Sequence, residues 1–281
     1  MKIRRLGMPR SEVSGEKEPG VARMNCRLRK LMVLVLLTGL ALTYGYALDM
    51  VNTQALTPHA PIKIDGNEAF TLENGVTRGS GTDADPYFIE GWEITGREFG
   101  VIIENTDAHF VIRNCRISGK DLEGIRFTNV ENGRIEESEL EWNIAAIVLE
   151  KSLSCTIYGN TLVMNGPHIS LSESFDNKIT DNIVGDCFGC PCIQLSRSAG
   201  NLLYRNQFRN DIFRGACPFD SGANHWDGGY PIGGNFWQEY EGKDEYSGPN
   251  QDQPGADGIG DTPFAIPGGA NLDRYPLMTP L

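Results

Sequence analysis

The chain has 281 residues, 40% of them hydrophobic and 22% charged, with a formal charge of −12. That balance excludes a disordered tail and a polytopic membrane protein, and the 33 glycines follow no collagen period. The charge is uneven: residues 1–30 carry a net +6 and the remainder a net −18. An acidic body argues against non-specific nucleic-acid binding, which works by neutralising phosphates. It suits cations or neutral glycans.

The first element is an address. Arg27, Arg29 and Lys30 precede Leu31–Leu48, a run of 18 residues without a charge. A basic flank before an apolar core reads as a secretion signal cut after Ala47 or as an uncleaved anchor, and either exports the body. This segment is the chain's only expected contact with a membrane.

A repeat organises the body. Five segments align from Gly100, Gly124, Ala146, His168 and Cys192, at spacings of 24, 22, 22 and 24. Each opens on an apolar-x-apolar triplet: Val101/Ile103, Ile125/Phe127, Ile147/Leu149, Ile169/Leu171 and Ile193/Leu195. A second apolar column holds Ile112, Ile135, Ile157, Ile179 and Leu203; a third holds Ile117, Leu140, Leu162, Val184 and Phe208. All 20 slots are apolar, an agreement with odds on the order of 10⁻⁸ by chance before the choice of register. Two polar columns share the register: Thr106, Val130, Ser152, Ser174, Ser198, and Cys115, Ser138, Asn160, Asn182, Asn206. Buried polar groups need partners, and like side chains in adjacent layers supply them to one another. Short β-branched strands, polar turns and stacked identical residues predict an all-β solenoid of parallel strands. Residues 49–99 read as an opening cap, 100–237 as coils, and 238–281 as a loop-rich acidic C-terminal cap.

These columns carry a resemblance to the right-handed parallel β-helix proteins grouped as NosD-type, or more broadly as carbohydrate-binding and sugar-hydrolase β-helices. It covers residues 61–281. The opening segment Glu73–Ile94 and the closing segment Gly233–Met278, with its aromatic-Trp strand, DGIGD loop and terminal aromatic-Pro-Leu-Met, are similar to those of prokaryotic surface members. The resemblance implies a right-handed parallel β-helix. Activities in the group range from glycan lyases and epimerases to surface proteins and a periplasmic factor for copper supply, so it does not fix a function.

Three constellations carry candidate chemistry. In the acidic loop, Asp252, Asp257 and Asp261 with the Ile259 carbonyl form a candidate calcium site, because calcium takes several hard oxygen ligands and glycine-rich turns bring them together; a solvated turn is the alternative. Cys187, Cys190, Cys192 and Cys217 crowd one coil boundary, where disulfides are the first reading for an exported chain. His168 with Cys187, Cys190 and Cys192 is the alternative, as a zinc or copper site, a reading the copper-linked relative favours. Cys115 and Cys155 read as core or ladder thiols. Trp226, Tyr230, Trp237 and Tyr240 are candidate glycan-stacking residues, with packing of the cap as the alternative.

No catalytic constellation is complete. Glu136 and Glu137 are adjacent and diverge, Asn105-Thr106-Asp107 lacks the partners of a pectin-cleaving hydrolase, and Asp181, Arg205 and Arg209 read as a charged edge. The leading expectation is an exported, non-catalytic envelope protein that binds a polysaccharide or surface glycan or serves structurally. A polysaccharide lyase, epimerase or hydrolase is the enzyme alternative. A periplasmic copper-binding accessory protein is the third.

Overall fold

The computed structural model describes residues 55–188, 191–209 and 218–281. The leader and apolar run, Cys190 and Cys217 lie outside these residues. Among those described, no helix is long and apolar enough to cross a membrane.

Alternation dictates the strands. In Ile169–Ser172 and Ile193–Ser196 every second side chain is buried, so one face turns to the core and the other to solvent. Such strands cannot cover their own apolar face, so each coil stacks on the next. Three parallel sheets of eight, seven and six strands result. The first apolar column lies in the seven-stranded sheet, where Ile125, Ile147, Ile169 and Ile193 pair in line. The second lies in the six-stranded sheet, with Ile135, Ile157 and Ile179 side by side, and the third in the eight-stranded sheet. The expected parallel β-helix and its register are therefore observed. Each fully buried isoleucine or leucine contributes about 1.5–3 kcal/mol.

The coils begin earlier than Gly100. Ile62–Asp65 pairs with Val101–Glu104, Tyr87–Glu90 with Phe110–Arg113, and Thr57–Pro58 with Trp92–Glu93. The segment expected as a cap thus supplies the first strand of every sheet. Its own cover is short: Phe70 and Val76 are buried, and the Trp92 indole donates to the Gly75 carbonyl at 2.8 Å.

At the turns the backbone leaves the sheets, and its buried N–H groups need acceptors. Side-chain ladders supply them. Asn160 N–H donates to Asn182 Oδ1 at 2.9 Å, Asn182 N–H to Asn206 Oδ1 at 3.1 Å, and Asn206 N–H to Asn235 Oδ1 at 3.1 Å. A serine ladder runs through Ser152, Ser174 and Ser198. Two further ladders stand where no polar column was expected: Asn177, Asn201 and Asn224, and the pair Asn143 and Asn165.

The ladders have a direction, because each backbone N–H looks to the next coil. The last N–H has no next coil. Asp273 takes that place: it accepts from Asn235 N–H at 2.7 Å, from the Trp237 indole at 2.8 Å and from Tyr275 N–H at 3.1 Å. Asp220 anchors the end of another ladder through its side chains, accepting from the Asn224 side-chain amide and the Trp226 indole, each at 2.8 Å. Gly234 lies under Asp273, where a Cβ would sit 1.7 Å from the carboxylate. Phe208, Trp237 and Phe264 stack over the end of the core, and the Asp227–Arg274 ion pair at 2.6 Å clasps the chain beside it.

Replacing Asn182 by Ala leaves the buried Asn160 N–H without its acceptor and takes the amide donor from the Ile157 and Thr180 carbonyls. It should cost about 3 kcal/mol in chemical denaturation, against about 1 kcal/mol for Ile179→Val, although more apolar contact is lost in the second change. A loss under about 1 kcal/mol for Asn182→Ala would remove the ladder from the account.

Burial pushes the Asp273 carboxyl from 3.8 up to about 7, with its donors on Asn235, Trp237 and Tyr275 opposing and Asp227 adding to the rise. Between those values the folded chain keeps a proton that the unfolded chain has released. The Asp273 contribution is therefore fully present below about pH 4 and lost as pH rises through about 7, up to about 4 kcal/mol in all. Unfolding free energies of the parent and Asp273→Asn, measured from pH 4 to 8, should differ by this falling slope; parallel curves would contradict it.

Candidate functional site

Between the seven-stranded and six-stranded sheets the chain turns at Asn105 and Asn129, both at φ 55. Asparagine tolerates this left-handed conformation better than most residues, and here it leaves both amides exposed. Asn129 donates to Asn105 Oδ1 at 3.0 Å, and Asn105 donates to Asp65 Oδ1 at 2.8 Å. Beside them Thr106 donates to Asn67 Oδ1 at 2.5 Å, and Asn67 donates to Asp107 Oδ1 at 2.8 Å. Asn67, Asn105, Thr106, Asp107 and Asn129, with Glu131 and Leu153, line an open groove of about 430 Å³.

The groove continues along the edge. Glu131, Leu153 and Phe175 follow one another in adjacent coils through parallel bridges. Leu153 is 39% and Phe175 44% exposed, so the edge passes from amides and carboxylates to an apolar surface. Nearby basic side chains are paired elsewhere: Lys63 with Glu104 at 3.2 Å, Arg126 with Glu123, and Arg134 with Glu136. Amides and carboxylates offer donors and acceptors to a polyol, and an exposed ring offers a face to the C–H groups of a sugar. Sequence reading met Asn105-Thr106-Asp107 only as an incomplete hydrolase motif and did not see the groove. Its only signal was Asn105 and Asn129 at the coil spacing.

The stacking candidates lie elsewhere. Trp226 and Trp237 are buried, so neither presents a face to a sugar; their indoles went to Asp220 and Asp273 instead. Tyr240 is half-buried against the core, its hydroxyl donating to the Thr262 carbonyl at 2.6 Å. Tyr230 alone of the four is open, at 38% exposure.

In the acidic loop the carboxylates are engaged by backbone. Asp257 accepts from Ile259 N–H at 3.1 Å, and Asp261 from the N–H groups of Glu245 and Tyr246 at 2.9 and 3.1 Å. Asp244 accepts from Asp257 and Gly258 N–H at 3.0 and 2.8 Å. Asp252 is exposed. Among the described residues no three His, Cys, Asp or Glu side chains form a group able to hold a metal ion. The shared centre expected of Asp252, Asp257, Asp261 and the Ile259 carbonyl is thus replaced by turns whose N–H groups already offset the negative charge.

His168 is fully buried. Its N–H donates to the Cys192 carbonyl at 2.8 Å, its Nδ1 meets the Asn165 amide at 3.2 Å, and its Nε2 has no hydrogen-bond partner. Burial holds its pKa down to about 3, with the Gly185 backbone opposing, so the ring is neutral. The Cys187 thiol points to the Gly166 carbonyl at 3.0 Å, and Cys192 is buried one coil on from His168. An imidazole and thiols have the donor chemistry of a soft metal site, but His168, Cys187 and Cys192 do not form a coordinating group. Of the bridge candidates, Cys190 and Cys217 lie outside the described residues. Cys115 and Cys155 are buried free thiols, raised by burial to about 11 and about 12.

The remaining charged edge is paired: Arg205 meets Asp181 at 2.8 Å. The groups moved furthest from their ordinary pKa, Cys115, Cys155, His168 and Asp273, all lie inside the coils or under the cap rather than along the groove.

A search of curated proteins returned no match. Residues 41–242 match the family model described as "Periplasmic copper-binding protein (NosD)". With well over half its length matched and a parallel β-solenoid as its fold, the chain belongs to the NosD family.

Proposed function

We propose that this chain is an exported, non-catalytic binding protein that takes a glycan in the groove of Asn67, Asn105, Asp107, Asn129 and Glu131. The observation that carries the reading is the composition of that groove: exposed amides in register, two carboxylates, and the apolar surface of Leu153 and Phe175 beside them. Such a surface binds by many weak contacts. Export follows from the Leu31–Leu48 segment and agrees with a family described as periplasmic.

A second reading is copper handling, favoured by the family description and by the neutral His168 imidazole, whose Nε2 has no hydrogen-bond partner. Copper suits this donor. The described residues do not complete a centre, so this reading rests on donor type rather than geometry.

Two measurements separate the readings. A glycan array with the exported chain should find ligands whose binding drops about tenfold or more in Asn129→Gly, which keeps the left-handed turn, with melting unchanged, the loss of about 1.4 kcal/mol in contacts. No retained glycan would reject the first reading. Copper analysis after desalting, in parent and His168→Ala, should show no His168-dependent metal if glycan binding is the whole function; stoichiometric copper lost on the substitution would establish the second reading.

A further inference from the structure

The edge has a feature that a single sugar would not use. Asp107, Glu131, Leu153 and Phe175 occupy one column in four successive coils, tied by Glu131 N–H to the Thr106 carbonyl at 2.9 Å, Leu153 N–H to Val130 at 3.0 Å and Phe175 N–H to Ser152 at 3.0 Å. Successive members are separated by the parallel-strand spacing of about 4.8 Å. That spacing is comparable to the advance per sugar of an extended, 1,4-linked β-glycan. The column also changes character along the axis, two carboxylates followed by an aliphatic and an aromatic side chain, 39% and 44% exposed. The turn residues beside it run Asn105, Asn129, Lys151 and Glu173, all in the left-handed conformation.

Resting on the glycan reading, we infer that the ligand is a linear, uncharged β-glycan lying parallel to the solenoid axis, one sugar to a coil. The first two sugars meet the amides of Asn105 and Asn129 and the carboxylates of Asp107 and Glu131. The next two lie over Leu153 and Phe175, where an aromatic face packs on the ring. Uronates are disfavoured at the first two positions because Asp65, Asp107 and Glu131 bring like charge there. Beyond Phe175 the column reaches Ala199, which offers no large face, so the contact ends. A charged pair, Arg197 with Glu173 at 3.0 Å, stands beside that end.

The test is the dependence of affinity on chain length. The full exported chain is titrated calorimetrically with β-1,4-linked glucose and N-acetylglucosamine oligomers of two to six units, and with a galacturonate tetramer. One of the two uncharged series should gain about tenfold in affinity from dimer to tetramer and little from tetramer to hexamer, since contacts on one rigid edge add until the edge is filled. Phe175→Ala should leave the dimer's affinity unchanged and abolish the tetramer's gain, with melting unaltered. Equal affinity for dimer and tetramer, or a galacturonate tetramer that binds as well as the uncharged ones, overturns the axial arrangement and leaves the glycan reading standing. Failure of every oligomer and of the array together overturns both.

Discussion

A backbone N–H that turns out of a sheet into a dry interior must find an acceptor, and along the ladders of the described residues that acceptor is a side chain of the next coil. The rest of the architecture depends on that requirement. Asparagine and serine meet it because each offers an acceptor to the preceding coil, and an asparagine amide donates as well: Asn182 donates to the Ile157 and Thr180 carbonyls at 3.0 Å each. An apolar column can tolerate isoleucine, leucine or phenylalanine in any layer, but a ladder cannot skip one. The cost of an orphan group, about 1–3 kcal/mol, exceeds most single packing differences. The ladders therefore fix the register that the apolar columns only favour.

A ladder also has to stop. A solenoid that ended on Asn235 would leave its last N–H without an acceptor, and a carboxylate is the side chain that accepts most and donates nothing. Asp273 fills this role, Asp220 accepts from the side-chain amide of Asn224, and each draws an indole N–H from the tryptophan that closes the core. The cap is thus more than a lid of apolar residues. Its polar anchor sits at the end of the chain of amides, and its aromatic stack covers the last coil.

Much of this was legible from sequence, for a physical reason. Columns at a fixed period reveal themselves because every layer solves the same problem, so the three apolar columns, the serine ladder and the Asn160–Asn206 ladder stood out. The ladder of Asn177, Asn201 and Asn224 was equally periodic, but Cys155 at its head broke the amide pattern and it was missed. Asp273 was out of reach of pattern reading: it lies 38 residues from its partner Asn235 and belongs to no repeat. Trp226 and Trp237 were misread because a tryptophan near a cap looks the same whether its indole has a buried acceptor or not. The acidic loop misled for a similar reason. Alternating aspartate and glycine serve a cation or a set of backbone N–H groups alike, and only the positions of those N–H groups decide.

The central claim is that one continuous ladder ties the coils to the cap through Asn235 and Asp273. Native-state hydrogen exchange on the backbone amides of Asn160, Asn182, Asn206 and Asn235 tests it most directly, because each amide donates along the ladder. The account predicts that all four exchange only through global unfolding, with one common free energy and one denaturant dependence. Exchange of the Asn235 amide through a separate, low-energy opening, with the other three still protected, would show that the cap is held by its aromatic packing alone and would contradict the account.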